Sequence, residues 1–179
     1  PKLKSLLNTI PRETHIFFDS SDIIYPSKII NKKSISKLNK NHASIKKEFD
    51  LLIGSSPRKS KETRRILEIL TPYSFRIAVK LHPVESIKDF LNQNHTKFKN
   101  IALFESQYNF NEVALKSTLY LPISHNSTSI FDANKMGCFS IIYDSEGRKL
   151  TNMTDQIDSC YCFSESSLGP LIKYLLEIK

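Results

Sequence analysis

The stretch Leu119-Tyr120-Leu121-Pro122-Ile123-Ser124-His125-Asn126-Ser127-Thr128-Ser129-Ile130-Phe131-Asp132 decides the fold of this chain. Its first five residues form an apolar run that is typical of a buried strand. The amphipathic run at residues 130–136, followed by Gly137, predicts a helix that begins just after the hydroxyl-bearing residues. A cluster of hydroxyl side chains therefore lies where a strand passes into a helix.

This hydroxyl-rich turn has two physical interpretations. The first N–H groups of a helix lack partners within the helix, and the helix dipole favours negative charge there, so the turn could bind a phosphate group. Alternatively, one Ser or Thr caps the helix and nothing is bound. A single capping residue is enough for the second interpretation, whereas Ser127, Thr128 and Ser129 follow one another here, close to His125.

Apolar runs and amphipathic runs alternate on both sides of this turn, from Phe49 to the end of the chain. The predicted strands are residues 49–53, 75–81, 101–104, 118–123, 139–143 and 159–163. The predicted helices are residues 61–70, 86–98, 109–116, 130–136 and 168–178. Such alternation predicts an α/β fold, in which a Rossmann-like parallel sheet is flanked by helices.

From Tyr25 to Lys47 apolar residues are sparse, and the seven lysines of the segment Lys28–Lys47 contribute much of the net charge of +8. We interpret residues 1–48 as an N-terminal extension or linker and residues 49–179 as the α/β domain. The lysine-rich segment could contact an anionic membrane surface or an anionic polymer, or it could be a solvated linker. Because no aromatic residue is interleaved with these lysines, we do not expect nucleic acid as a partner.

Composition also bears on location. No run approaches the roughly 18 consecutive apolar residues of a membrane span, and the start of the chain carries no signal-peptide pattern. Cys138, Cys160 and Cys162 fit no zinc-binding spacing and predict reduced thiols. We therefore expect a cytoplasmic protein, either free or peripheral at the inner membrane.

Polar or glycine-containing turns follow several of the predicted strands, and ligands of open parallel sheets bind beyond the carboxyl ends of the strands. These turns are Gly54-Ser55-Ser56, His82-Pro83, Glu105-Ser106 and residues 125–129. The chain has four glycines and neither the GxGxxG fingerprint nor the lysine loop of P-loop proteins. A bound phosphate group would therefore have to be held by side chains and helix ends.

Two of these turns carry short motifs, Lys80-Leu81-His82-Pro83 and Ser127-Thr128-Ser129-Ile130-Phe131-Asp132, the second followed by Gly137 and Ser140-Ile141-Ile142-Tyr143. In this order and spacing they resemble the C-terminal nucleotide-binding domain of bacterial surface-polysaccharide transferases with the GT-B architecture. Bacterial sialyltransferases and polysialyltransferases carry a His-Pro motif and a Ser-Ser or Ser-Thr motif that bind a cytidine nucleotide donor. CDP-glycerol glycerophosphotransferases carry a similar pair. The resemblance covers about residues 49–179.

The resemblance implies a glycosyltransferase that uses a CMP- or CDP-linked donor and a glycan acceptor, without a metal or other cofactor. It implies that His82 contacts the donor phosphate and stabilises the charge that develops on it, which makes His82 the candidate catalytic residue. Ser127 and Thr128 would hold phosphate oxygens, and Ser129 would cap the helix. The remaining residues implied at the donor site are Gly54, Ser55, Pro83 and Asp132, the last either near the ribose or facing solvent.

The chain departs from the family in its acidic residues. Sialyltransferases place a catalytic Asp or Glu next to a Gly in their N-terminal domain, whereas Asp19 and Asp22 have no neighbouring Gly. We therefore expect one half of a two-domain enzyme, incomplete without an acceptor domain. The alternatives are an enzyme similar to CDP-glycerol glycerophosphotransferases and a non-catalytic module that binds a nucleotide or an anionic polymer. A sugar-nucleotide epimerase would need more acids and bases than the sequence offers.

The lysine-rich segment matches no motif of the donor site, so its charge should not contribute to nucleotide binding. Replacing Lys32, Lys33 and Lys37 together with Gln should leave the affinity for CMP and CDP nearly unchanged at physiological salt, as measured by isothermal titration calorimetry. A loss well above tenfold, about 1.4 kcal/mol, would place the segment at the donor site.

Overall fold

The computed structural model describes residues 17–19, 22–23, 45–93, 100–124, 127–144 and 158–177. Within these ranges, a two-stranded antiparallel pair precedes a six-stranded sheet and its helices. The strands are β1 (Phe17–Asp19), β2 (Asp22–Ile23), β3 (Phe49–Gly54), β4 (Ile77–Lys80), β5 (Ile101–Phe104), β6 (Ser117–Pro122), β7 (Phe139–Tyr143) and β8 (Ser159–Cys162). The α-helices are α1 (Ser60–Leu70), α2 (Ile87–Gln93), α3 (Phe110–Leu115), α4 (Ser129–Lys135) and α5 (Glu165–Glu177), and a 3-10 turn at Pro57–Lys59 precedes α1.

The strands of the large sheet lie in the order β5-β4-β3-β6-β7-β8, and every neighbouring pair is parallel. The chain builds outward from β3 through β4 to β5. It then crosses back to pair β6 with the other side of β3, and continues outward to β8. This is the doubly wound order of Rossmann-like folds. The predicted fold class, an α/β fold with a parallel sheet flanked by helices, is confirmed.

Both faces of the sheet are covered by helices, which explains why the strands are continuous apolar runs. Leu51 and Ile53 pack in a core with α1, α2 and α5, whereas Leu52 packs in a second core with α3 and α4. Successive side chains of a strand point to opposite faces, so three consecutive apolar residues can all be buried only where both faces are covered. Each buried Leu or Ile contributes about 1.5–3 kcal/mol.

The start of α5 differs from its predicted boundary, because the helix begins at Glu165, three positions before the predicted start at residue 168. The helix predicted at residues 86–98 is described from Ile87 to Gln93, and residues 94–98 lie outside the described residues. The sequence Gly169-Pro170 disfavours a helix, because Gly has high backbone entropy and Pro lacks an N–H. Tertiary contacts outweigh this preference. Gly169 is buried where a Cβ would overlap the ring of Tyr73, and Arg65 of α1 donates to Glu165 in the first turn of α5, with Nη2 2.8 Å from Oε2.

Most of residues 1–48, including the lysine-rich segment before residue 45, lies outside the described residues. The end of that segment contacts the domain, since the Lys47 ammonium donates to the Leu115 carbonyl at 2.9 Å, at the end of α3. Residues 145–157, between β7 and β8, also lie outside them. The domain boundary at residues 48 and 49 stays a prediction.

Cys138, Cys160 and Cys162 are buried and free of disulfide bonds. Burial raises the pKa of the Cys138 thiol to about 12 and raises the pKa of the Cys160 thiol as well. These thiols therefore stay protonated at neutral pH, which makes them poor nucleophiles and poor metal ligands. None of the helices in the described ranges is long and apolar enough to cross a membrane.

Candidate functional site

A pocket of about 520 Å³ opens at the carboxyl edge of the sheet, beyond the ends of β3, β4, β5 and β6 and beside the first turns of α3 and α4. The strand order reverses between β3 and β6, and a crevice forms at such a switch point because the helices that follow the two strands lie on opposite faces. The volume lies within the range of about 300–1,000 Å³ that is usual for small-molecule sites.

All the donor-site residues named from the sequence line this pocket. They are Gly54, Ser55, His82, Pro83, Ser127, Thr128, Ser129 and Asp132. Residues that follow three different strands and are up to 78 positions apart are thus brought into one cavity (132 − 54 = 78). Their assigned roles stay predictions. His125, the histidine next to the hydroxyl-rich turn, lies outside the described residues.

Residues Ser127, Thr128 and Ser129 are here called the hydroxyl turn. Their hydroxyl groups do not cap α4. Thr128 occupies the N-cap position but has a helical backbone, with φ −63° and ψ −19°, and its side chain makes no capping hydrogen bond. A capping side chain needs an extended backbone to reach the N–H groups of the first turn. Capping by Ser129 was therefore a wrong prediction, since Ser129 is the first residue of the helix itself.

The hydroxyl turn is held from below by a buried phenol. The Ser127 and Ser129 hydroxyls hydrogen-bond to each other, and the Ser129 Oγ lies 2.6 Å from the Tyr120 Oη. Thr128 stays exposed at the mouth of the pocket. The turn therefore presents hydroxyl groups to the cavity, with their positions fixed by one another and by the sheet.

Tyr120, which the sequence analysis did not single out, forms the floor of the pocket and is 1% exposed. The edge of its ring packs against Phe110, with ring centroids 5.4 Å apart. Burial raises the pKa of Tyr120 to about 12, so the phenol stays neutral near pH 7 and can donate or accept a hydrogen bond. A Cβ on Gly54 would overlap the Tyr120 hydroxyl, so the glycine leaves the space that the phenol fills.

The first two turns of the site are joined by Glu85, another residue that the sequence analysis missed. The Ser55 hydroxyl donates to Glu85 Oε2, and the backbone N–H of His82 lies 3.0 Å from both the Ser55 Oγ and Glu85 Oε2. One half-buried carboxylate thus holds the Gly54-Ser55 turn against the His82-Pro83 turn. In the sequence, the only indication of this role is that Glu85 lies three residues after His82.

The His82 ring is exposed at the mouth of the pocket. The Val84 N–H approaches its Nδ1 at 3.4 Å, a long hydrogen bond in which the ring nitrogen accepts. In the neutral ring, Nε2 then carries the proton and is available to donate to a ligand. This geometry is compatible with the contact to a phosphate oxygen that the resemblance implies.

Lys80 closes β4 and contributes a buried ammonium group to the pocket wall. The residue is 8% exposed, and its Nζ donates to the carbonyl oxygens of Glu105 at 2.8 Å and Leu81 at 3.2 Å. Burial lowers the pKa of Lys80, because desolvation disfavours the charged form. In the sequence, Lys80 could have been found as a lysine at the end of an apolar strand, directly before Leu81-His82-Pro83.

The opposite wall of the pocket is aromatic and amide-rich. Tyr108 and Phe110 line it, together with Asn109 and Asn111. Tyr108 is about half exposed at 47% and packs edge-on against Phe104, with ring centroids 5.2 Å apart. The Asn109 side chain caps α3 by accepting the Asn111 N–H at 2.8 Å. This wall offers a flat apolar surface and amide groups near it.

Metal binding and similarity to known proteins give no further assignment. No group of three or more His, Cys, Asp or Glu side chains in the described part of the chain could hold a metal ion. No family model, curated protein or solved structure matches this chain. What the pocket can bind has to be inferred from its own geometry.

The contact between Gly54 and Tyr120 predicts that replacing Gly54 with Ala lowers the stability of the protein. Replacing a strand glycine with Ala normally stabilises a protein by roughly 0.5–1 kcal/mol. Here the methyl group would meet a buried ring that has no room to move, so we expect Gly54→Ala to destabilise the protein by about 1–3 kcal/mol in urea unfolding. The loss should shrink in a Tyr120→Phe background, which removes the nearest atom. An equal loss in both backgrounds would contradict the contact.

The hydrogen bonds to Glu85 predict that its side chain keeps two turns together. Glu85→Ala should lower the free energy of unfolding by about 1–3 kcal/mol, because the His82 N–H and the Ser55 hydroxyl lose an acceptor. It should also accelerate amide hydrogen exchange at His82. Glu62→Ala, an exposed acid on α1, is the control and should change stability by about 0.5 kcal/mol or less. Unchanged exchange at His82 would refute the role of Glu85.

Proposed function

We propose that the α/β domain binds a cytidine-activated sugar and that the protein is a sialyltransferase-like glycosyltransferase of surface or capsular polysaccharide synthesis. The observation that carries the proposal is that the His82 turn and the hydroxyl turn open into one pocket at the switch point of the sheet. The two motifs that resemble the GT-B transferases thus lie where a donor would contact both.

Phosphate recognition by this pocket is supported by its supply of hydrogen-bond donors. Ser127 and Thr128 offer hydroxyl groups, and His82 offers a ring N–H from the turn after β4. Hydrogen bonds to a charged group contribute roughly 1.5–3 kcal/mol each. In a glycosyl transfer, negative charge grows on the leaving nucleotide, so donors fixed in advance around that phosphate accelerate the reaction by stabilising the transition state.

The remaining wall suits the nucleoside part of such a donor. The exposed face of Tyr108 and the ring of Phe110 can pack against a pyrimidine, and the Asn111 amide can hydrogen-bond its polar edge. Asp132 lines the pocket one helical turn after the hydroxyl turn and could accept a hydrogen bond from a ribose hydroxyl. Discrimination between bases would then depend on the wall formed by the residues around α3.

The acceptor and the general base are proposed to come from outside this domain. Among the described pocket residues, Asp132 supplies the only carboxylate, and it lies beside the hydroxyl turn rather than across the cavity from it. The proposed partners are therefore a CMP- or CDP-linked donor, a glycan acceptor and a second domain. We place the protein in the cytoplasm or at the inner face of the membrane.

Two alternatives keep specific support. The buried Lys80 ammonium suits the diphosphate of a CDP-linked donor such as CDP-glycerol, which keeps an enzyme similar to the glycerophosphotransferases as an alternative. The shortage of carboxylates in the pocket favours a non-catalytic nucleotide-binding module. Titrations with CMP, CDP and cytidine, followed by a transfer assay on the full chain, separate these possibilities.

The proposal predicts that the hydroxyl turn and His82 recognise phosphate and not nucleoside. Ser127→Ala combined with Thr128→Val should lower the affinity for CMP at least tenfold, a loss of about 1.4 kcal/mol, and leave cytidine binding unchanged. His82→Ala should discriminate in the same way. Isothermal titration calorimetry with both ligands measures each effect.

Ser106→Ala is the matched control, because it removes a pocket-lining hydroxyl outside the two motifs. It should change neither ligand's affinity by more than a few-fold. If the double variant loses CMP and cytidine equally, the hydroxyl turn is structural and the phosphate interpretation fails. If CMP does not bind the unchanged protein, the proposed donor class is wrong.

A further inference from the structure

Lys80 reaches the pocket because of its place in the sheet. It is the last residue of β4, and its position pairs with Gly54 of β3 on one side and with Phe104 of β5 on the other. Ala78, two residues earlier, belongs to the core shared with α3 and α4, and side chains two apart in a strand lie on the same face.

The hydrogen-bonding partners of this ammonium group are dipoles and not charges. An ammonium group has three N–H donors, and here two of them are directed to the carbonyl oxygens of Leu81 and Glu105. Throughout the part of the chain that is described, no carboxylate oxygen lies within 4.0 Å of the Lys80 Nζ. Burying a cation without an opposite charge is unfavourable, and a hydrophobic residue of similar length would avoid that cost.

We propose that Lys80 is the charged contact of this pocket for an anionic group of the ligand, a phosphate or carboxylate, and that binding of this group draws a proton onto the amine at alkaline pH. This proposal rests on the proposed function in one respect, which is that a nucleotide is the molecule that carries the anionic group. Lys80 follows β4, whereas the hydroxyl turn follows β6, two strands away in the sheet. The two therefore contact the ligand from different sides.

The proton uptake follows from the environment of the amine. Burial lowers the pKa of Lys80 in the empty pocket, and a bound anion raises it again because an opposite charge favours the ammonium form. Well below the lowered pKa the amine is already charged, so binding takes up no proton. Between the lowered and the raised pKa, binding takes up a fraction of one proton, and above both it takes up none.

Other titratable groups around the pocket have to be separated from Lys80. His82, Asp132, Tyr108 and Tyr120 line the cavity. The Glu105 carboxylate is engaged elsewhere, accepting the Ile87 N–H at 2.7 Å and the Gln107 amide at 3.3 Å. The second ionisation of a phosphate monoester occurs near pH 6, well below the alkaline range in which lysine titrates. Burial raises the pKa of Tyr120 to about 12, above the range of the test, so the Lys80 variants below assign the proton uptake at alkaline pH.

The first test is the heat of CMP binding measured in two buffers of different ionisation enthalpy. The full chain should take up a fraction of one proton at an alkaline pH below 10.5, the ordinary pKa of a lysine, and less at neutral pH. Cytidine, which lacks the anion, should take up none at either pH. Inorganic phosphate should take up a proton as CMP does, which identifies the phosphate group as the source of the effect.

Three variants assign the effect. Lys80→Met should weaken CMP and inorganic phosphate at least tenfold, remove the proton uptake and leave cytidine unchanged. Lys80→Arg, which cannot lose its proton in this range, should keep most of the affinity for CMP without any proton uptake. Lys88→Met, an exposed lysine on α2, is the control and should behave as the unchanged chain.

A structural lysine would give the opposite pattern. If Lys80 only ties β4 to the turn after β5, Lys80→Met should lower the melting temperature and leave the ratio of CMP to cytidine affinity unchanged, which would overturn the proposal. Proton uptake that persists in Lys80→Met would also overturn it. If Lys80→Met does not fold, the proton uptake of the unchanged chain and of Lys80→Arg decides the question.

Failure of the proposed function has a separate signature. Binding of inorganic phosphate that depends on Lys80, with no binding of CMP or CDP, would reject the cytidine donor and keep the anion contact. Binding of CMP with full affinity by Lys80→Met would keep the donor and reject the anion contact. If neither CMP nor phosphate binds the unchanged chain, both proposals are wrong.

Discussion

The parallel pairing of β3 with β4 on one side and with β6 on the other is the constraint on which the site depends. It places the ends of three strands side by side at one edge of the sheet. The chain leaves β3 toward α1 on one face and leaves β6 toward α4 on the other. The gap between these departures is the pocket, and short turns are sufficient to bring its polar side chains together.

The sheet could be predicted from the sequence because burial on both faces produces a plain signal. The runs that became β3, β5 and β7 were located to within a residue, since parallel strands covered on both faces consist of consecutive apolar residues. The pocket residues were found for a related reason. Turns that follow parallel strands gather at one edge, so Gly54, His82 and Ser127 could be assigned to one place before their contacts were known.

The remainder of the site could not be predicted, because it depends on contacts between side chains far apart in the sequence. Glu85 is important through its link to Ser55, and Tyr120 through its fit over Gly54. Lys80 is important because no carboxylate of the described residues lies near its ammonium group. Each property depends on tertiary structure and on no local pattern. The mistaken role of Ser129 has the same origin, since a buried phenol below the turn outweighs the usual preference of Ser for capping.

The same strand order governs how the chain can fold while it is being synthesised. The half-sheet β3-β4-β5 is complete before β6 leaves the ribosome, because Phe49 of β3 pairs with Ser117 of β6 and everything between them must be translated first. During that interval one edge of β3 offers unpaired N–H and C=O groups to other chains. The strand β3, which is central in the finished domain, is therefore an exposed edge strand in the nascent domain. The rate of translation across α2 and α3 sets how long that edge stays exposed.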